Sequence, residues 1–152
     1  MTQTRSYIVL ALFILLSLGV GTGIGIFTAP GEWYAGLAKP PFNPPNWIFG
    51  PVWTVLYILV GIAGWRVWRA GLSRLQSLWW IQMLVNFTWS PAFFAGQRIG
   101  LALVIIVALL MLILVFIARA WSRDRISAWL FAPYALWVAF ATLLNASILV
   151  LN

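Results

Sequence analysis

Five stretches of near-continuous apolar sequence, each about as long as a membrane-crossing helix, constrain this chain more than any other feature. They run Tyr7–Phe27, Trp47–Trp68, Leu78–Phe94, Ile99–Ala118 and Ser127–Leu151. Crossing ~30 Å of hydrocarbon takes ~20 helical residues. Unbroken apolar runs suit helices. A membrane barrel would alternate apolar and polar residues and need more than five strands to close. A cleavable signal peptide fits the first run poorly, because the run is long and no small-residue cleavage site follows it. Helices are therefore expected over about 6–27, 46–69, 77–95, 98–119 and 126–150, with a first loop at 28–45, in one domain over 1–152.

Composition closes off the alternatives. Apolar types make up 64% of the chain and charged types 7%, whereas soluble domains are roughly half apolar and about a quarter charged. So much apolar surface could not be hidden by a small soluble fold, and it excludes disorder. Neither cysteine nor histidine occurs, which removes disulfides, thiolate chemistry and the commonest metal ligands. No metal site and no cofactor are expected.

The formal charge of +7 reads as a topology signal, because the basic residues sit in short gaps between the runs. Arg5, Arg66, Arg69, Arg74, Arg119, Arg123 and Arg125 fall on one side; Lys39 and Arg98 fall on the other. The positive-inside rule then puts the N-terminus in the cytoplasm and the first loop outside. No shared basic surface for nucleic acid emerges.

That first loop is no plain connector. TAPGEWYAGLAKPPFNPPN (residues 28–46) holds five prolines and three aromatic residues. Pro40-Pro41 and Pro44-Pro45 force extended backbone, giving a stiff strap, with a short interfacial helix from Glu32 to Leu37 before it. It reads either as a lid across the mouth of the bundle or as a merely packed loop.

Inside the runs, polar and aromatic residues recur at helical spacing. Gly19, Gly21, Gly23 and Gly25 make a small-residue ridge suited to a close helix contact, a dimer seam or an opening beside a ligand. Trp53, Tyr57, Gly61, Gly64 and Trp68 share one face of the second run, aromatic near the loop and then narrowing to glycine. Gln82 and Asn86 lie one turn apart in the third; an amide is costly in hydrocarbon, so both should point inward, as an interhelical clamp or as pocket lining. The fourth run carries nothing to bind with and reads as scaffold. In the fifth, Pro133, Tyr134, Trp137, Ala141 and Asn145 recur. Together these predict a cavity lined by Trp53, Tyr57, Asn86, Trp89, Tyr134 and Trp137 and covered by Trp33. Aromatic walls with a few amides and phenols suit a flat, largely apolar guest. The acids Glu32 and Asp124 fall in opposite loops, so no conventional catalytic pair is present.

Specific motifs go further. Trp33-Tyr34, Lys39-Pro40-Pro41-Phe42-Asn43-Pro44-Pro45-x-Trp47 and Phe49-Gly50-Pro51-Val52-Trp53-Thr54-x-x-Tyr57 are followed by Gln82-x-x-x-Asn86-x-x-Trp89-Ser90-x-x-Phe93-Phe94. The last is Pro133-Tyr134-x-x-Trp137-x-x-Phe140-Ala141-x-x-Leu144-Asn145. In this order the motifs resemble the tryptophan-rich sensory protein and translocator protein family, the peripheral-type benzodiazepine receptors, over nearly the whole chain. The resemblance implies an all-α membrane protein: a bundle of five transmembrane helices, often a homodimer, with the first loop as a lid, expected in a bacterial cell membrane. It implies a receptor or sensor binding porphyrins such as protoporphyrin IX and isoquinoline or benzodiazepine ligands, with a role in tetrapyrrole transport or regulation. The alternative it carries is light- and oxygen-dependent porphyrin degradation, with Trp53 and Trp137 as the reactive pair. Ligand contacts are implied for Trp33, Trp47, Trp53, Tyr57, Asn86, Trp89, Tyr134, Trp137 and Ala141. Family members also bind cholesterol, but this sequence departs from the sterol motif: it reads Leu149-Val150-Leu151-Asn152, with no basic residue. Without histidine or cysteine to ligate iron, a metal-free porphyrin is the more natural guest.

Overall fold

A computed structural model describes residues 3–152 as a bundle of five long helices and one short one. They are α1 (Gln3–Phe27), α2 (Glu32–Gly36), α3 (Phe49–Arg69), α4 (Ser73–Ser90), α5 (Ile99–Ala120) and α6 (Arg125–Leu151). A single 3₁₀ turn, Asn46–Ile48, leads into α3, and a π turn, Pro91–Ala95, ends α4. Among the described residues, four helical segments are long and apolar enough to cross a membrane: α1, Asn46–Arg69, α5 and α6. The chain is thus an all-α, multi-pass membrane protein. The fourth helix, α4, falls outside that set because Arg74, Gln76, Gln82 and Asn86 lower its hydropathy.

The long helices form a closed ring. α1 packs on α3, α3 on α6, α6 on α5 and α5 on α4, and α4 returns to touch both α1 and α3. Short connections make sequential neighbours antiparallel. The turn from α3 to α4 shows why: Gly71 takes φ +67°, and the Leu72 and Gly71 amides bond back to Val67 O at 3.1 Å and Trp68 O at 3.0 Å. That pattern closes a helix with a left-handed residue just past its end, where glycine carries no Cβ penalty.

Two ends of the bundle are tied differently. At the arginine-rich end, Arg66 of α3 forks onto Asp124 ahead of α6, with Nε to Oδ2 at 3.1 Å and Nη2 to Oδ1 at 2.8 Å. Ser127 Oγ donates to the same carboxylate at 2.6 Å. Burial pushes the Asp124 carboxyl up, but the Arg66 and Ser127 hydrogen bonds and the guanidinium charge outweigh it and hold the group below the usual carboxylate range. At the opposite end, Thr28 Oγ1 meets Ser90 Oγ at 2.6 Å, and Asn145 Nδ2 donates to Ile99 O at 3.0 Å.

Glycine lets α1 and α3 approach closely. A Cβ at Gly61 would lie 2.8 Å from Ser17 Oγ and 2.9 Å from Ile14 Cα; one at Gly64 would lie 2.5 Å from Trp79 Cε2 and 2.8 Å from Phe13 Cδ1. The narrowing on the α3 face is therefore filled by α1 and Trp79 and leaves no space. Gly19, Gly23 and Gly25 meet nothing within 4 Å, so only Gly21 of the α1 ridge serves an internal contact, against the Tyr57 ring.

Candidate ligand-binding cavity

A polar chain crosses the middle of the bundle. Tyr57 OH on α3 donates to Asn86 Oδ1 on α4 at 2.8 Å, and Asn86 Nδ2 donates to Tyr134 OH on α6 at 2.8 Å. Tyr134 OH passes on to Gln82 Oε1 at 2.9 Å, and Gln82 Nε2 reaches Trp79 O at 3.0 Å. Trp79 Nε1 closes the run on Val60 O at 2.8 Å. Each donor group of this chain finds an acceptor, which is what an apolar interior demands of its amides and phenols. Gln82 and Asn86 point inward, and what they build is a clamp joining three helices.

Above this clamp, toward the Thr28–Ser90 end, lies a cavity of about 590 Å³. Its walls come from α1 (Gly21, Ile24, Gly25), α3 (Phe49, Gly50, Trp53, Tyr57), α4 (Asn86, Phe87, Trp89) and α5 (Ile106, Leu109). Ala29, Pro30 and Tyr34 of the first loop also line it. None of the described lining residues is charged. The volume falls in the range of small-molecule pockets, ~300–1,000 Å³, and the mix of aromatic wall with a few polar groups is usual for them. Trp53 stacks on Tyr57 with ring centroids 5.2 Å apart and meets the Tyr134 ring edge-on at 6.3 Å. Trp89 is held by Nε1 donating to Asn145 Oδ1 at 3.1 Å.

The loop docks through aromatic contacts. Tyr34 is buried, with its ring edge-on to Phe94 at 5.3 Å, while Trp33 packs against Phe93 at 5.9 Å. The Lys39 ammonium sits 4.6 Å over the Tyr34 ring. Burial raises the Tyr34 phenol above its ordinary value, against the hydrogen bond to Asn43, so this phenol stays neutral at physiological pH.

Of the residues named from sequence, Trp53, Tyr57, Asn86 and Trp89 line this cavity together. Tyr134 stands behind the wall, holding Asn86, and Ala141 is packed into the core. Trp33 sits behind Tyr34 on Phe93. Trp47 is 73% exposed in the middle of the 3₁₀ turn. Trp137 lines a separate outer groove between α3 and α6 with Pro51, Leu136 and Phe140. The separation has a geometric cause: Trp137 points to the outer edge of the α3–α6 seam, where it packs on Phe49 at 5.8 Å, while Trp53 points to the inner one. The wall from α5 was invisible in sequence, because Ile106 and Leu109 look like every other residue of that run. Gly25 carried a usable signal in the glycine alternation of α1.

The family model described as TspO/MBR matches residues 13–151. The chain belongs to the TspO/MBR family. It is 40% identical over 144 residues to the tryptophan-rich protein TspO of Archaeoglobus fulgidus, covering 91% of this chain and 94% of that one. The tryptophan-rich protein TspO of Chlorobaculum tepidum is 38% identical over 99% of both chains. The human translocator protein is 33% identical over 89% of this chain and 85% of its own. Membership of the TspO/MBR family supports a general sensor or ligand-binding role, and the cavity is where such a role has room.

Proposed function

We propose that this TspO/MBR protein is a membrane receptor or sensor that takes flat, largely apolar molecules into the cavity beside Trp53. Protoporphyrin IX-like tetrapyrroles are the natural class, with isoquinoline and benzodiazepine compounds as synthetic ligands of the same shape. The single observation that carries the reading is an uncharged cavity of about 590 Å³ with Trp53, Tyr57, Trp89 and Phe49 around it. Rings on the walls offer dispersion and stacking, and Asn86 and Tyr57 offer a few hydrogen bonds for orientation. In this reading α4 is the fifth membrane span: its amides are satisfied inside the bundle, so hydrocarbon meets only its apolar face. The first loop is the lid, and it lies outside, at the end opposite the seven clustered arginines.

Titration of protoporphyrin IX against tryptophan fluorescence in detergent or nanodiscs tests the reading. Saturable quenching is expected, weakened about tenfold or more by Trp53→Ala, since an aromatic wall contact contributes roughly 1–2 kcal/mol. Trp137→Ala should weaken binding far less, because that ring faces the outer groove. Non-saturable quenching, or equal effects of the two substitutions, overturns the proposal. Light-driven porphyrin degradation takes second place: it draws on Trp53 stacked over Tyr57, but its tryptophan pair does not share one chamber. Illumination followed by mass spectrometry separates it from free porphyrin bleaching.

A further inference from the structure

Among the described residues, one side chain ties the loop over the cavity to the bundle by hydrogen bonds. Among the described residues, every hydrogen bond between positions 29–45 and the long helices or their caps is made by Asn152, the residue that caps α6, apart from the local turn bond of Ile48 N to Pro45 O that leads into α3. Its Oδ1 accepts from the Ala38 amide at 2.9 Å, and its Nδ2 donates to the Ala38 carbonyl at 2.9 Å. The same Nδ2 donates to Ile148 O at 2.8 Å, which fixes the carboxamide against the last turn of α6. The side chain thus pairs with Ala38 as a strand neighbour would, using donor and acceptor at once. The remaining loop bonds stay inside the loop, such as Leu37 N to Tyr34 O and Lys39 Nζ to Leu37 O.

The site of attachment matters. Ala38 lies between α2, which carries Tyr34 into the cavity roof, and the stiff Pro40-Pro41 step. The strap joins α1 to α3 and its proline steps keep it stiff, so fixing Ala38 midway along it limits how far Tyr34 can lift from the cavity. Aromatic packing of Tyr34 and Trp33 on Phe93 and Phe94 holds the roof down but has no preferred register along those rings. The paired hydrogen bonds supply the register.

We infer that Asn152 is a positioning residue for ligand retention: by pairing with the Ala38 backbone it holds the roof closed over an occupied cavity. This rests on the binding role proposed above. Removing the carboxamide frees the strap while leaving the bundle and the cavity walls intact, so it acts on ligand escape more than on ligand fit. Two exposed hydrogen bonds predict on the order of a five- to tenfold faster dissociation for Asn152→Ala.

Two measurements on the full chain in nanodiscs test it. Hydrogen exchange at the Ala38 amide needs no ligand: protection in the wild type, lost in Asn152→Ala, is expected, and exchange of the wild-type amide at the free-peptide rate overturns the clamp. Stopped-flow dissociation of protoporphyrin IX reads retention: faster release from Asn152→Ala with an unchanged melting temperature is expected, and unchanged release overturns the positioning role even if the clamp is present. Asn152→Asp keeps the acceptor for Ala38 N–H but sets an oxygen against its carbonyl, and it should release ligand as fast as the alanine variant. If the wild type binds no porphyrin, the retention role falls with the binding role, while amide exchange still reports the clamp.

Discussion

Gly64 and Gly23 look alike in the sequence and differ completely in what surrounds them. The Cβ that alanine would add at Gly64 falls against the Trp79 and Phe13 rings, and Trp79 cannot swing aside without giving up its 2.8 Å bond to Val60 O. Gly64→Ala should therefore destabilise the protein by about 1–3 kcal/mol, the usual range for overpacking. Gly23→Ala, with nothing within 4 Å, should stay within ~0.5 kcal/mol of the wild type. Thermal unfolding of both variants in one detergent makes the comparison. Asn86 is the other decisive residue: Asn86→Leu keeps the branched shape but strands the Tyr57 hydroxyl without its acceptor and Tyr134 without its donor. A loss of about 2–4 kcal/mol is expected. Adding Tyr57→Phe to it should recover part of that loss, since the stranded hydroxyl is then gone.

Between elements, the sharpest interaction is the junction of α3 with the start of α6. Asp124 accepts from Arg66 and Ser127 and is held below the ordinary carboxylate range. A carboxyl whose folded pKa is depressed stabilises the fold above its unfolded value and loses that contribution as pH falls through the folded one. Wild-type stability should thus decline below about pH 4, near the model-peptide value for Asp. Asp124→Asn should lack that component and be less stable at neutral pH by about 1 kcal/mol, a modest figure because the Arg66 side chain is 30% exposed. Melting temperatures of the two proteins from pH 3 to 7 check both the size and the sign. The helix α4 shows the opposite balance: its amides make it the least apolar of the long helices, and its place in the bundle is set by what those amides bond to.

For the molecule as a whole, the asymmetry between its ends is the leading feature. One end carries seven arginines and the Arg66–Asp124 clamp, and the other carries the docked loop with Lys39 and Arg98. The positive-inside rule turns that asymmetry into an orientation. Because the chain has no cysteine, single reporters are unambiguous. In intact cells a membrane-impermeant maleimide should label Gly31→Cys and leave Ser122→Cys unlabelled until the cells are opened. The reverse pattern would invert the proposed topology. Both positions are exposed, so access alone decides the outcome.

The apolar runs, the basic gaps and the proline-rich strap were legible because each acts locally: run length sets a helix in lipid, proline fixes its own φ, and a loop charge acts on the nearest interface. That Gln82 and Asn86 turn inward was legible for the same reason, since hydrocarbon penalises an amide whatever its neighbours are. Which groups they meet was not. The chain from Tyr57 through Asn86 to Tyr134 joins residues up to 77 positions apart, and spacing along one helix says nothing of rotation against another. The two tryptophans of α3 and α6 make the point most clearly. Each lies on an aromatic face by periodicity, yet Trp53 entered the cavity and Trp137 the outer groove, because the α3–α6 seam has two edges and only packing selects between them. The plain Ile106 and Leu109 became cavity wall, and Asn152 became the holder of the loop, through the closing of a ring of helices that no single helix encodes.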